Sequence, residues 1–144
     1  MSFRRTFLVW TIAAATTAPL LAQTLTAGPE IRVSGVPFDT IFETSLAAGA
    51  DGGFLAAWQD FGRTYARAFS PADTPRLAEG QQLSPQGAEI LSPPRATVLA
   101  SGRSVVVWSA TRRYPSLPDH LKVAVRILDP SGYPAGGETV LSEG

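Results

Sequence analysis

Cysteine is absent from the 144 residues, histidine and methionine occur once each, and neither charge sign dominates, with twelve Lys and Arg against twelve Asp and Glu. Without cysteine there is no disulfide framework, no thiolate zinc site, no thiol nucleophile and no lipid-anchoring cysteine. A lone His120 excludes any site built on two imidazoles. The missing Lys/Arg surplus excludes a polybasic nucleic-acid binder, because that affinity comes from clustered cations releasing counterions from phosphate. G-x-S-x-G, H-E-x-x-H, the P-loop and G-x-G-x-x-G are also missing, and with them the usual marks of hydrolases, zinc proteases and nucleotide binders. Beyond the first two dozen residues no segment keeps a capped helical period. What remains is a chain with 13 Gly and 12 Pro that is 44% hydrophobic, too apolar for disorder and well supplied with turn formers.

The N-terminus reads as an export signal. Arg4 and Arg5 form a short basic region, an apolar run follows from Phe7 to Ala15, and Pro19 breaks the helix before Leu20-Leu21-Ala22. Cleavage after Ala22 would leave 122 residues, and Ala27 marks an alternative point. Loss of Arg4 and Arg5 turns the balanced charge into a small negative excess. Thr16, Thr17 and Pro19 interrupt the run short of the roughly 20 apolar residues that a membrane span needs. Arg4-Arg5-Thr6-Phe7-Leu8 resembles the twin-arginine signal, so the secretory and twin-arginine routes both stay open. The expected destination is the periplasm or the exterior, with no stable span after cleavage.

Downstream the chain repeats itself. Trp58 and Trp108 lie 50 residues apart and each closes an apolar run, Phe54-Leu55-Ala56-Ala57-Trp58 and Val105-Val106-Val107-Trp108. The same offset relates Gly52 to Gly102 and Ala50 to Ala100. Further on, Arg67, Pro71 and Pro75 match Arg126, Pro130 and Pro134 at an offset of 59, so nine residues are inserted between Trp108 and Arg126. Val33-Ser34, Leu83-Ser84 and Leu141-Ser142 form a third matching set. Ordered self-similarity with one insertion is the mark of duplication. The expected units are residues 31–84 and 85–144, the latter including the start of a third.

Each unit reads as four short strands between turn signals. In the first they are expected over 43–48, 53–58, 64–70 and 81–84, and in the second over 96–100, 104–109, 122–129 and 139–142. Residues 31–34 are an orphan copy of the fourth strand. Asp51-Gly52 and Ser101-Gly102 are hairpin turns, where Gly takes positive φ at little cost, and Asp129-Pro130-Ser131-Gly132 is a second turn type. The second strand of each unit is apolar almost throughout, as expected where both faces are covered. The fold class is all-β: two antiparallel four-stranded sheets behind an N-terminal signal helix.

Asp51-Gly52-Gly53-Phe54-Leu55-Ala56-Ala57-Trp58, followed by Tyr65-Ala66-Arg67-Ala68-Phe69 and a proline turn, resembles the Gly-Gly-Phe-x-x-x-Trp repeats of exported bacterial β-propeller-like proteins. Unit two departs from that pattern, with Arg103-Ser104 in place of Gly53-Phe54 and Val125-Arg126-Ile127 in place of the Ala-Arg-Ala core. The resemblance implies blade-like units in an incomplete propeller, since about four blades are needed for closure. Missing downstream blades, self-association into a ring, or a sandwich of the two units would each resolve the incompleteness, and the stop just inside a third unit favours missing blades.

The candidate partner-binding residues are Arg112, Arg113, Tyr114 and His120, in the insertion that breaks the repeat. Arg and Tyr are common in recognition loops, and the stretch is expected to be a Pro-rich surface loop. Asp119-His120 lacks a nucleophile beside it, and Asp39, Glu43, Asp60, Asp119 and Glu138 are the carboxylates from which an acid–base pair would have to be drawn. Trp58 and Trp108 are expected to pack in the core rather than stack on sugars, and Arg67 and Arg126 to form structural ion pairs or to donate hydrogen bonds to blade loops. No catalytic residue, cofactor or metal is assigned. The expectation is a non-enzymatic binding or scaffold module for a protein or a glycan; the alternative is the first part of a larger exported propeller hydrolase.

Overall fold

The computed structural model describes residues 28–34, 41–86, 88–114 and 117–143, with side chains left out for Phe42, Glu143 and the far end of the second-unit hairpin, residues 112–114 and 117–120. The leader and both cleavage points lie outside these residues. Among the described residues there is no helix, and none is long and apolar enough to cross a membrane. All regular structure is strand. β1 (Ile41–Ala48), β2 (Phe54–Asp60), β3 (Arg63–Phe69) and β4 (Gln81–Gln82) form one antiparallel meander. β5 (Ala88–Ile90), β6 (Arg95–Val98), β7 (Ser104–Tyr114), β8 (Leu117–Leu128) and β9 (Thr139–Glu143) form the second sheet.

Backbone pairing follows the repeat residue by residue. Ala56 faces Arg67 across β2 and β3, and Val106 faces Arg126 across β7 and β8. Isolated bridges join Phe69 to Pro75 and Leu128 to Pro134. The Gly49–Gly53 turn, closed by bonds of 2.7 and 3.1 Å, recurs at Leu99–Arg103 with 2.8 and 2.9 Å. Gly52 and Gly102 hold φ of 84° and 79°, a region where a Cβ is strained. Ser70 Oγ accepts the amides of Ala72 and Thr74, and Asp129 Oδ1 accepts those of Ser131 and Tyr133. Different side chains thus hold the same turn by the same local bonds.

The second sheet differs from the expected four strands. β5 and β6 both pair with β7 on one edge, β5 against Ala110–Arg112 and β6 against Ser104–Val107. The eleven-residue β7 is long enough to take both, and Ser92-Pro93-Pro94 separates them because Pro has no amide for a ladder. The first sheet is irregular at the matching place. Its edge strand bulges between Phe42 and Thr44, with Glu43 at φ 40°. Broken edges of this kind discourage pairing with foreign strands.

Two further expectations are corrected. Residues 31–34 are not a strand; Val33 instead gives its carbonyl to Arg67. The insertion is not a loop. β7 and β8 carry their ladder through Arg112↔His120 to Tyr114↔Leu117, where the first unit turns in two residues at Phe61-Gly62. Inserted residues placed symmetrically about a turn can prolong both strands and keep their backbone groups paired.

The core lies between the sheets. Leu55, Ala57, Ala66, Ala68 and Leu83 from the back of the first sheet cluster with Val106, Trp108, Ala110, Ala124 and Leu128 from the front of the second. Paired residues share a face, so the docking joins unlike faces, the back of one copy to the front of the next. β2 is buried along both faces, as expected. β7 instead alternates from buried to half-buried along Ser104–Ala110, so only one of its faces is covered.

Candidate functional site

The front face of the first sheet is aromatic and closed. Phe54 stacks on Phe69 at 4.5 Å between ring centroids, and Trp58 on Tyr65 at 5.9 Å, both across paired strand positions. Arg67 lies between these pairs. Its guanidinium donates to the carbonyls of Leu77 (3.0 Å), Val33 (3.1 Å) and Ala78, and sits 5.6 Å from the Phe69 ring centroid. Three carbonyls around one planar fork is a structural clamp. Arg126, its counterpart, donates to the carbonyl of Gly136 at 3.2 Å. Trp58 and Trp108 are fully buried, so neither offers a stacking surface to a sugar. A Cβ on Gly80 would lie 2.5 Å from the Trp58 ring, which shows how closely the Leu77–Gly80 segment is laid over it.

Where the turns of the two units meet there is a shallow cleft of about 40 Å³, lined by Gly49, Gly53, Phe54, Arg76, Val98 and Pro130. Asp51 stands at its mouth. One carboxylate oxygen accepts the Gly53 amide at 3.0 Å and the other meets the Arg76 guanidinium at 2.7 Å. The Gly53 amide first, and the Arg76 charge after it, hold the Asp51 carboxyl below its ordinary range. Asp129, bonded to the Ser131 hydroxyl and to the Ser131 and Tyr133 amides, is lowered in the same direction. Both are carboxylates at neutral pH, with no proton to give as general acids. The cleft has room for a water molecule and is far smaller than a sugar subsite.

The predicted contact residues gather at the far end of the second-unit hairpin. Arg112 lies directly opposite His120, with Arg113 and Tyr114 following on β7. Backbone register thus brings all four to one hairpin end. The carboxylates considered for acid–base chemistry do not form a described pair. Glu43 is exposed at the β1 bulge, Asp60 is buried at the end of β2, and Glu138 forms a largely buried ion pair with Lys122. Asp39 and the Asp119 side chain lie outside what is described. Among the described residues, no three His, Cys, Asp or Glu side chains converge as metal ligands would. The Asp51–Arg76 pair was not expected from sequence, since its partners are 25 residues apart and Ala135 stands at the Arg76 position of unit two.

No family model, curated protein or solved structure matches the chain.

Proposed function

We propose that this is an exported, non-enzymatic β-repeat module that binds a protein or a glycan through the end of its long hairpin, with Arg112, Arg113, Tyr114 and His120 as the contact residues. The observation that carries the reading is the break in symmetry. One copy turns tightly at Phe61-Gly62, whereas the other prolongs both strands, and on its two arms stand two Arg, a Tyr and the chain's one His. A hairpin end held by a ladder presents side chains with less ordering cost than a free loop. The leader supports export, and the repeat resembles blades of propeller-like proteins, in which sheets serve as scaffold and their connections carry function.

Purified protein tested against a panel of surface polysaccharides and envelope proteins checks the reading. Binding should be seen with one class, and should be lost when all four residues are changed to Ala while the unfolding midpoint stays within experimental error. Hydrolysis of any panel polysaccharide would overturn the non-enzymatic reading in favour of a glycosidase. Retained binding by the fourfold variant would remove the hairpin from the site.

A further inference from the structure

We propose that the outer face of the second sheet is a docking site for a further sheet unit of this same repeat, seated front face down as the second sheet is seated on the first. The proposal rests on the two sheets being copies of one unit, and stands apart from export and from hairpin binding.

Register identifies the face. Leu55 pairs with Ala68 and Ala57 with Ala66 on the back of the first sheet; at the same repeat positions Val105 pairs with Ile127 and Val107 with Val125. Thr64 corresponds to Val123. Leu83 follows the residue opposite Tyr65, and Leu141 follows the residue opposite Ala124. All six first-sheet side chains are at most 7% exposed. Their second-sheet counterparts are all apolar and all open to solvent, from half-buried valines to Ile127 at 41% and Leu141 at 61%. Apolar residues left without cover are costly in solubility, so a contiguous patch of this kind marks an interaction surface. Along β7 and β8 the face gains bulk, with Val107, Val125 and Ile127 where the first sheet has Ala57, Ala66 and Ala68, and Val123 replaces Thr64; on the edge strand Arg95 and Thr97 stand where the first sheet has Ser45 and Ala47.

The occupant follows from which faces are free. The first sheet's front is closed by Val33 and Ser34 and by the Leu77–Gly80 segment, which Arg67 ties down. The second sheet's front is covered by the first sheet. A second copy of the protein therefore brings no open front face to the outer valines. The matching surface is that of one more unit: a sheet face of small and aliphatic residues around one large side chain, as Ala96, Val98, Val106, Trp108, Ala124 and Leu128 form here, with Lys122 and Arg126 on the same face. Assembly has a direction, closed at the first sheet and open at the second, as in repeat arrays with one terminal cap.

The test uses 1-anilinonaphthalene-8-sulfonate fluorescence, sedimentation and urea unfolding. The protein itself should sediment as a monomer and bind the dye. Val125→Asp should reduce dye binding with only a small lowering of the unfolding midpoint. A dimer dissociated by Val125→Asp would overturn the proposal, because a second copy would then cover the face. Two extended chains, each with residues 85–143 repeated after Gly144, test the occupant directly. One keeps the second sheet as it is, and the other carries Val107→Ala, Val125→Ala and Ile127→Ala in the receiving sheet, reproducing the floor of the first. At least one should unfold in a single transition at a higher midpoint and bind no more dye than the protein itself, because docking leaves one outer face open, and Trp108→Glu in the appended copy alone should raise dye binding. Raised dye binding with separate unfolding transitions in both would overturn the proposal.

Discussion

Ala66 and Val125 occupy one position of one repeat, yet Ala66 is sealed between two sheets while Val125 is in contact with water. The first sheet is covered on both sides, by residues 33–34 and the Leu77–Gly80 segment in front and by the second sheet behind. Among the described residues the second sheet has cover on its front alone. Near-identical strand patterns therefore have different energetic worth, because an apolar side chain stabilises only when a partner takes it out of water. The Arg clamps show the same inequality: Arg67 spans three carbonyls and Arg126 donates to one.

The sharpest way to break this comparison is a charge at the shared position. Ala66→Asp places an unpaired carboxylate between the sheets and should cost about 4 kcal/mol or more, enough to unfold a small domain, whereas Val125→Asp should cost about 1 kcal/mol. Urea unfolding checks both, and equal losses would mean that the two faces are equally covered. Next in size, Arg67→Met strands buried carbonyls and should cost about 2–3 kcal/mol, against about 1 kcal/mol for Arg126→Met. A smaller contrast tests the turns. Gly132 holds φ 98° with its missing Cβ 3.1 Å from the Ala68 Cβ, while Asp73 holds φ 59° at the matching position. Gly132→Ala should lower stability by about 1–2 kcal/mol, and Asp73→Gly should change it by less than about 0.5 kcal/mol.

The smallest effect is electrostatic. Asp51 is exposed and its folded carboxyl titrates below the ordinary 3.8. Its contribution is therefore present above that value and lost as pH falls through the lowered one. Asp51→Asn should leave the acid limb of the urea midpoint slightly flatter than in the parent protein, with the two curves parallel above pH 5. Separately, the intact mass of exported protein should correspond to a chain beginning at Gln23, or at Gly28 if the later site is used.

Strand positions were legible from sequence because turn formers punctuate the chain at repeated offsets. Gly52 and Gly102 have the positive φ expected of them, and the proline turns at Pro71 and Pro130 occupy matching places. Arg67 and Arg126 act as donors to loop carbonyls, in keeping with their repetition. β5 was not legible: three residues, Ala88–Ile90, have no pattern of their own and pair only because β7 is prolonged beside them. Nor was the insertion's conformation, since Pro115 and Pro118 read locally as loop residues while the ladder on either side of Arg112↔His120 favours extension. The Asp51–Arg76 pair depends on two turns meeting in space, which no local spacing encodes.

By itself the sequence determined the all-β class, the turns at repeated offsets and the alternation that gives each strand two faces, because these depend on backbone preferences and on a period of two. Tertiary structure alone decided which face of each copy is buried, that unlike faces meet, and that the second copy's outer valines stay wet. The reason is that burial belongs to a pair of surfaces: a strand carries its own alternation, while its cover comes from residues far away along the chain.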